Sequence, residues 1–208
     1  MADQNPEVAL DDTREKLLAA AHRQFAERGF HGASIALIAG EVGLTKQALL
    51  YHFKRKEDLY REVLRRISVR LFEAARENRD AAASPAQRFE DVVLGIYFAA
   101  VSNPLDTKVL MHELLEDQRR DAPQEEWFFK GWLGELIALL DAAHGPTDMP
   151  MADKVAQVYL LVSAIQYYAA SGPLLSRFYG DKEYARIGEY YPQELRELVR
   201  RMIGSASA

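Results

Sequence analysis

The fold of this chain is decided by residues 34–53, which read SIALIAGEVGLTKQALLYHF. Ser34 is suited to cap a short helix whose apolar residues recur at the spacing of one helical face. Gly43 then breaks the helix, because glycine reaches positive φ angles at little cost. Thr45 is suited to cap a second short helix. Two helices joined by a short turn that contains glycine predict a helix-turn-helix over 34–53.

The second helix is predicted to carry polar side chains on its outer face, while Ala48, Leu49 and Phe53 point inward. The outer set combines hydrogen-bonding groups, a cation and two aromatic rings with polar ends, which suit phosphates and base edges better than a protein core. Its members are Thr45, Lys46, Gln47, Tyr51 and His52. The pattern therefore predicts DNA binding. Gln47 is the best candidate for base readout, because its amide can pair with adenine.

The flanking segments extend this motif. Residues 13–30, TREKLLAAAHRQFAERGF, predict an amphipathic helix that Asp12 and Glu15 would start as a capping pair and Gly29 would end. The motif is followed by the basic turn KRKEDLY, and a long helix is predicted from about Lys56.

The run from LLAAAHRQFAERGF through SIALIAGEVGLTKQALLYHFKRKEDLY closely resembles the TetR (tetracycline repressor-like) family of bacterial transcription regulators, over about a quarter of the chain. The resemblance implies a dimeric repressor that occupies a palindromic operator on double-stranded DNA. In that docking, Ser34 and Lys56 would hold the DNA backbone beside the outer set of the second helix.

Two departures from the family pattern concern single contacts. Ala36, Leu37 and Gly40 stand on a face of the first short helix that is usually polar in the family, which predicts fewer phosphate contacts there. Leu50 stands where many members have a tyrosine that touches a phosphate, and Tyr51 follows it. The phosphate contact has therefore either moved to Tyr51 or been lost.

Composition sets the class of protein. The 208 residues are 49% hydrophobic and contain no cysteine, which excludes disulfides and thiolate metal sites. The start, MADQNPEVALDD, has no signal-peptide pattern, and residues 1–10 are expected to form a flexible tail. The apolar stretches are interrupted before the roughly 18 residues that a membrane span needs. These features predict a soluble cytoplasmic protein, and no motif predicts an enzyme, a cofactor or a metal site.

The net charge of −5 divides unevenly along the chain. Between Arg14 and Arg66, 11 Lys and Arg stand against 6 Asp and Glu, while the rest of the chain carries 15 and 25. Charges act over about 8 Å at cellular salt, so the local sign matters more than the total. A basic N-terminal part on an acidic body can dock on DNA with one face.

The rest of the chain reads as helices separated by proline and glycine, so the predicted class is all-α. A helix-turn-helix DNA-binding domain is expected over 11–70, and a helical ligand-binding and dimerisation domain over 71–208. Ser171-Gly172-Pro173 should interrupt a long apolar helix, and 174–191 should be less regular. The predicted helices are 56–82, 85–102, 105–120, 123–144, 151–170 and 192–203.

The last two helices, 151–170 and 192–203, are expected to form a homodimer. Helix-turn-helix proteins usually dimerise to read two half-sites. The family resemblance implies a four-helix bundle built from the closing helices of two copies, although packing within one chain would also explain their apolar faces.

Large side chains in the middle of the chain are candidates for binding a small effector. Core packing explains any single one better, but as a group they suit a mostly apolar pocket and a hydrophobic effector. The candidates are Tyr97, Met111, Trp127, Trp132, Tyr167 and Tyr168. In the family, an effector lowers DNA affinity by linkage, through a change in the separation of the two recognition helices.

Two alternatives remain open beside the ligand-responsive repressor. One is a protein of the same fold that binds DNA and regulates without a ligand, which a filled core would favour. The other is a helical enzyme or binding protein whose helix-turn-helix is a relic, which would bind no DNA selectively.

Overall fold

The computed structural model describes residues 6–77, 83–116 and 128–204. These residues form helices and no strands, which confirms the all-α prediction. The helices are α1 (Pro6–Gly32), α2 (Ile35–Glu41), α3 (Lys46–His52), α4 (Lys56–Glu77), α5 (Pro85–Ser102), α6 (Pro104–Glu116), α7 (Phe128–His144), α8 (Met151–Tyr179) and α9 (Asp181–Gly204). The chain divides into two compact units: unit 1 is 1–67 with 105–121, and unit 2 is 68–104 with 122–208.

In unit 1, α1 is longer than predicted at its start. It begins at Pro6, because proline is favourable at the first helical position and no residue between Pro6 and Thr13 breaks a helix. The predicted capping pair is therefore wrong: Asp12 lies inside α1 and pairs with Lys16 one turn later. At the other end, Gly29 adopts φ 66° and ψ −177° and interrupts the helix where the sequence predicts a stop.

The predicted helix-turn-helix is present in α2 and α3. Gly43 has a φ of 72°, and its N–H and that of Leu44 donate to the carbonyls of Gly40 and Ala39. These two hydrogen bonds form a Schellman ending, which satisfies the last carbonyls of α2. Leu17, Leu18 and Phe25 on α1 are buried, as are Ile38 and Ala39 on α2 and Leu49 on α3. Helices α1, α2 and α3 therefore share a small three-helix core.

Ion pairs join α1 to the first half of α4. Arg66 of α4 binds the Glu15 carboxylate through two nitrogens, both at 2.5 Å. Glu62 accepts from Arg65 at 2.8 Å and lies 3.5 Å from Arg14 of α1. Hydrogen bonds from Arg65, with those from Arg66 and the charge of Arg14, outweigh burial and lower the pKa of Glu62 to about 2.

Glu62→Gln is expected to lower the free energy of unfolding at pH 7 by about 1–3 kcal/mol, because it removes a charged acceptor from this network. The folded pKa of Glu62 lies below the usual value of 4.5, so the stabilisation is complete above pH 4.5 and is lost as the pH falls towards 2. Urea unfolding of both proteins between pH 7 and pH 3 measures this difference. Glu27→Gln, at an exposed carboxylate of α1, should show no such trend. A constant difference across this range would contradict the assignment.

Helix α6 belongs to unit 1 and contacts both α1 and α4 there. His22 Nε2 of α1 lies 2.8 Å from Asp106 Oδ1 of α6, at ion-pair distance but without hydrogen-bond geometry. The Tyr60 hydroxyl of α4 donates to Glu113 Oε2 of α6 at 2.8 Å. Unit 1 therefore includes a segment that follows α5 in the chain and that lies outside the range 11–70 predicted for the DNA-binding domain.

In unit 2, the predicted interruption at Ser171-Gly172-Pro173 is wrong. Helix α8 continues to Tyr179 with Pro173 inside it, and it ends at Gly180, whose φ is 81°. Gly172 is buried against α9, where a Cβ on it would lie 2.5 Å from the Tyr184 hydroxyl. Close packing between α8 and α9 thus accompanies a helical conformation that the local sequence disfavours.

The prediction that 174–191 is irregular is also wrong, and again a contact between helices accompanies the difference. It is helical apart from Gly180, and Pro192 lies inside α9 instead of starting it. Pro192 has no N–H to donate to the carbonyl four residues earlier, that of Gly188. The Tyr97 hydroxyl of α5 lies 3.5 Å from that carbonyl, at the limit of a hydrogen bond. A contact from another helix thus partly replaces the missing donor.

The core of unit 2 lies between α5, α7, α8 and α9. Tyr168 and Tyr191 stack with ring centroids 3.9 Å apart, and Tyr97 stacks on Tyr191 at 5.6 Å. Burial raises the pKa of all three hydroxyls. Glu90 of α5 is buried between two arginines of α9: Arg200 donates to it from Nε at 2.8 Å, and Arg196 Nε lies 2.8 Å from its Oε1 as an ion pair.

One apolar helix bears on membrane insertion. Of the helices in the described ranges, α8 is the one whose length and composition would allow it to cross a membrane, with a mean hydropathy of 1.2 over 18 residues. Core helices of globular proteins meet the same criteria, and α8 buries Val158, Val162 and Ile165 in unit 2. Its apolar character is therefore weak evidence for a membrane span.

Candidate nucleic-acid interface

The outer face of α3 is formed by four of the predicted residues. Thr45 precedes the helix in an extended conformation and caps it, since its Oγ1 accepts the N–H of Ala48 at 3.2 Å. Thr45, Lys46, Gln47 and Tyr51 are all exposed, and Tyr51 retains 77% of its surface. A seven-residue helix that buries Leu49 thus presents hydroxyl, ammonium, amide and phenol groups to the solvent. These groups can donate to phosphates and to base edges.

The other three predicted contacts, His52, Ser34 and Lys56, are less exposed. His52 is half-buried and meets the Tyr51 ring edge-on at 5.5 Å. Ser34 precedes α2 in the capping position, but its side chain makes no capping hydrogen bond. Lys56 is half-buried at the start of α4, with its Nζ 4.5 Å from the centre of the Phe30 ring. The cation–π contact orients this ammonium group on α1, which the sequence pattern did not indicate.

The ion pairs of unit 1 concentrate its positive charge around α3. Seven of the eleven cations between 14 and 66 pair with carboxylates of the same unit: Arg14, Lys16, Arg23, Arg55, Arg61, Arg65 and Arg66. Within the parts of the chain that the structure describes, Lys46, Lys54 and Arg28 have no carboxylate partner. Lys46 and Lys54 flank α3 and both are exposed. Two cations without a carboxylate partner therefore lie at the start of α3 and just beyond its end.

Lys54 is a candidate that the sequence reasoning missed. It lies in the turn between α3 and α4, is exposed, and is two residues from the half-buried Lys56. The signal was available in the basic turn KRKEDLY, but the spacing alone could not show which of its cations would be held by contacts within the protein.

The departures from the family pattern are visible on the surface. Ala36, Leu37 and Gly40 are exposed on α2, and Leu37 keeps 50% of its surface. Leu50 is half-buried, whereas Tyr51 is far more exposed. Of these two neighbours, Tyr51 is therefore the one whose side chain is accessible to DNA.

The predicted effector-binding residues are dispersed. Met111 lies in unit 1, and Trp127 lies outside the described residues. In unit 2, Tyr97, Trp132 and Tyr168 are buried, whereas Tyr167 keeps 71% of its surface exposed. The ring centroids of Tyr97 and Tyr168 are 5.8 Å apart in the tyrosine stack, where the two rings pack against each other and against α9.

Unit 2 contains a small cavity whose lining differs from the predicted effector-binding residues. It has a volume of about 10 Å³, is lined only by apolar side chains of α5, α7 and α8, and includes Phe89, Leu136 and Ile165 in its wall. This volume is about the minimum that one water molecule needs. Nearby in sequence, the buried Gln166 of α8 has an Oε1 that accepts no hydrogen bond from the described residues.

No group of three or more His, Asp and Glu side chains within the described ranges is arranged to hold a metal ion. The arrangement that bears on function is therefore the exposed, cationic face of α3 in a three-helix core.

Comparison with known proteins agrees with this geometry. Residues 17–63, which span α1, the helix-turn-helix and the start of α4, match the family of bacterial regulatory proteins named after TetR. The transcriptional repressor AcnR of Corynebacterium diphtheriae is 35% identical over 78 residues, which cover 35% of this chain and 41% of AcnR. The matched region thus spans about two fifths of that relative.

Two longer similarities extend beyond the helix-turn-helix. The transcriptional repressor KstR2 of Mycobacterium tuberculosis is 24% identical over 187 residues, covering 83% of this chain and 90% of KstR2. The crystal structure of a TetR-like transcriptional regulator from Rhodococcus sp. RHA1 superposes with a TM-score of 0.67 at 20% identity, covering 92% of this chain and 96% of that one. At this identity the superposition establishes a shared fold. The match over 17–63, with the helix-turn-helix in α2 and α3, thus places the N-terminal part of the chain with the TetR family of bacterial regulatory proteins.

Proposed function

We propose that this chain is a cytoplasmic, dimeric transcription regulator that binds a palindromic operator, and that it acts as a repressor. The observation that carries the proposal is the outer face of α3. Thr45, Lys46, Gln47 and Tyr51 are all exposed there, in a domain whose other cations are mostly paired. A helix of this kind, placed in the major groove, reads base edges through its side chains while neighbouring cations contact phosphates.

Selection of random duplex DNA by the purified protein tests this function. A palindrome with half-sites about one helical turn or more apart would support a dimeric sequence reader. Enrichment without any common sequence would overturn the proposed selectivity, since phosphate contacts alone are blind to sequence.

Gln47→Ala is expected to relax the preference at one base position in each half-site, with a loss of about 1–3 kcal/mol of discrimination there, because an amide can pair bidentately with adenine. Repeating the selection with this variant measures the change position by position. Gln87→Ala, which removes an amide from α5 in unit 2, serves as the matched control. An unchanged base profile for Gln47→Ala would remove Gln47 from the proposed readout.

Dimerisation through α8 and α9 is part of the proposal. Helix α8 exposes a row of large apolar side chains that unit 2 does not cover, among them Leu160 at 64%, Tyr167 at 71% and Phe178 at 65% of their surface. An exposed apolar face of this size supports a protein–protein contact. A second copy is the proposed partner, because soluble oligomers are most often twofold homodimers and two copies are needed to read a palindrome.

Release by a small hydrophobic effector completes the proposal, and one observation favours a second candidate. The apolar cavity of unit 2 holds about 10 Å³, far below the roughly 300 Å³ of a typical ligand pocket. A regulator of the same fold that acts without a ligand would need no larger cavity. The effector proposal instead requires α5, α7 and α8 to separate, with the free Oε1 of Gln166 as a polar anchor.

The two candidates differ in how operator binding responds to apolar compounds. With the operator from the selection as a probe, a library of hydrophobic small molecules should contain some that lower its affinity, and Gln166→Leu should weaken their effect. A library without any such compound would favour the ligand-independent regulator, and it would leave the DNA-binding proposal standing.

A further inference from the structure

One stripe of α9 carries opposite charges at its two ends. Glu194, Leu198 and Arg201 recur at helical spacing and line a groove of about 290 Å³, whose other wall includes Ala164 of α8. Glu194 and Arg201 are exposed, and Leu198 keeps 40% of its surface. The two charges are seven residues apart, which places them about 10 Å apart along the helix.

Two other parts of the α9 surface make contacts within unit 2. Leu195 and Val199 are buried in the core. On one side, Arg196 and Arg200 form ion pairs with the buried Glu90 of α5. Glu194 and Arg201, by contrast, have no ion-pair partner among the residues that the structure describes. The stripe thus presents Glu194, Leu198 and Arg201 in that order to whatever enters the groove. Glu197 also lines the groove, and its carboxylate lies 3.6 Å from Arg200.

This order is complementary to itself when reversed. In a twofold interface, residue i of one copy contacts residue j of the other, and j contacts i. Two α9 helices that cross antiparallel, centred near Leu198, would place each Glu194 against the Arg201 of the other copy. A parallel arrangement would place Glu194 against Glu194 and Arg201 against Arg201, and like charges in contact disfavour an interface.

We propose that the Glu194–Leu198–Arg201 stripe is the self-recognition element of the dimer, and that it pairs antiparallel with the same stripe of a second copy. The inference rests on the proposed dimer and goes beyond it, because it assigns the register and direction of the contact. Two symmetry-related ion pairs flank a central contact between leucines, and this arrangement suits an apolar interface centre with a charged rim.

A charge swap in the full-length protein tests this pairing. Glu194→Arg alone and Arg201→Glu alone should each weaken dimerisation at least tenfold, because each places two like-charged pairs in the interface. The double variant restores opposite charges and should return the dimer dissociation constant to within about threefold of the wild-type value. Sedimentation equilibrium over a range of protein concentrations measures all four, and circular dichroism verifies that each variant is folded.

Lys182→Glu with Glu189→Arg is a matched control. These two charges are also exposed on α9 and seven residues apart, but they lie outside the groove. Their reversal, singly or together, should leave the dissociation constant unchanged. The antiparallel register would be overturned, while the dimer itself stands, by either of two results. The first is a dimer dissociation constant that the single reversals at 194 and 201 leave unchanged. The second is a double variant that does not return the dissociation constant towards the wild-type value. A monomeric wild-type protein would overturn both the register and the proposed dimer.

Discussion

Leu49→Ala is expected to lower the free energy of unfolding of unit 1 by about 2–5 kcal/mol, the usual cost of truncating a fully buried leucine. Leu49 is entirely buried and is the one residue of α3 that is fully withdrawn from solvent. A helix of seven residues is not stable by itself in water, because nucleation costs more than so few hydrogen bonds return. The anchoring of α3 in unit 1 therefore depends strongly on this side chain, and we expect operator binding to be lost together with stability.

Leu37→Ala provides the matched control. It is the same chemical change in the adjacent helix α2, but the Leu37 side chain is 50% exposed, so the expected change in stability is within about 0.5 kcal/mol. Urea unfolding monitored by circular dichroism compares the stability of the two variants. Operator titration at urea concentrations below the unfolding midpoint then compares their DNA binding. Equal losses of stability would mean that α3 is not anchored through Leu49.

The helix-turn-helix could be predicted from sequence because its determinants are local. Thr45 caps α3 through its own hydroxyl, and Gly43 supplies the positive φ that the turn requires. Both effects involve residues within three or four positions of each other, so the spacing of residue types carries the information. The alternation of exposed and buried residues along α3 follows from the same short-range periodicity.

The course of α8 and α9 could not be predicted in this way, because tertiary contacts override the local signals. Pro173 and Pro192 are read as helix boundaries, and each lies inside a helix instead. Gly172 fits against Tyr184, and the carbonyl of Gly188 faces Tyr97 of α5. These partners are 12 and 91 residues away in the chain, and a local pattern cannot indicate them.

The same limit applies to the charges of the candidate interface. Lys54 and Lys56 are equivalent in the basic turn when only the sequence is considered. In the structure, Lys56 lies over the Phe30 ring and is half-buried, whereas Lys54 is exposed. Which cation remains available to a phosphate thus depends on a ring that is 26 residues away in the chain.

Replacement of both exposed lysines beside α3, Lys46→Ala with Lys54→Ala, is expected to reduce operator affinity about a thousandfold at 0.15 M salt. If each ammonium group neutralises one phosphate per half-site, a dimer loses four contacts. Each contact contributes about 0.9 to the slope of the logarithm of affinity against the logarithm of salt concentration, so the slope should become shallower by about 3.6. At 0.15 M salt this change in slope corresponds to about three powers of ten in affinity.

The control is the double variant Lys16→Ala with Lys182→Ala, which removes the same total charge. Lys16 is paired with Asp12 on α1, and Lys182 lies on α9 in unit 2, so neither is part of the proposed face. Fluorescence anisotropy with the selected operator, measured at several salt concentrations, gives the slope for each protein. A control slope that falls as far as that of the first variant would show that net charge, and not the position of the charges, governs binding. A loss of affinity at an unchanged slope would instead place the two lysines outside the phosphate contacts. The predicted combination, with a shallower slope for the α3 variant alone, follows only if Lys46 and Lys54 contact phosphates while most other cations of unit 1 are held in ion pairs.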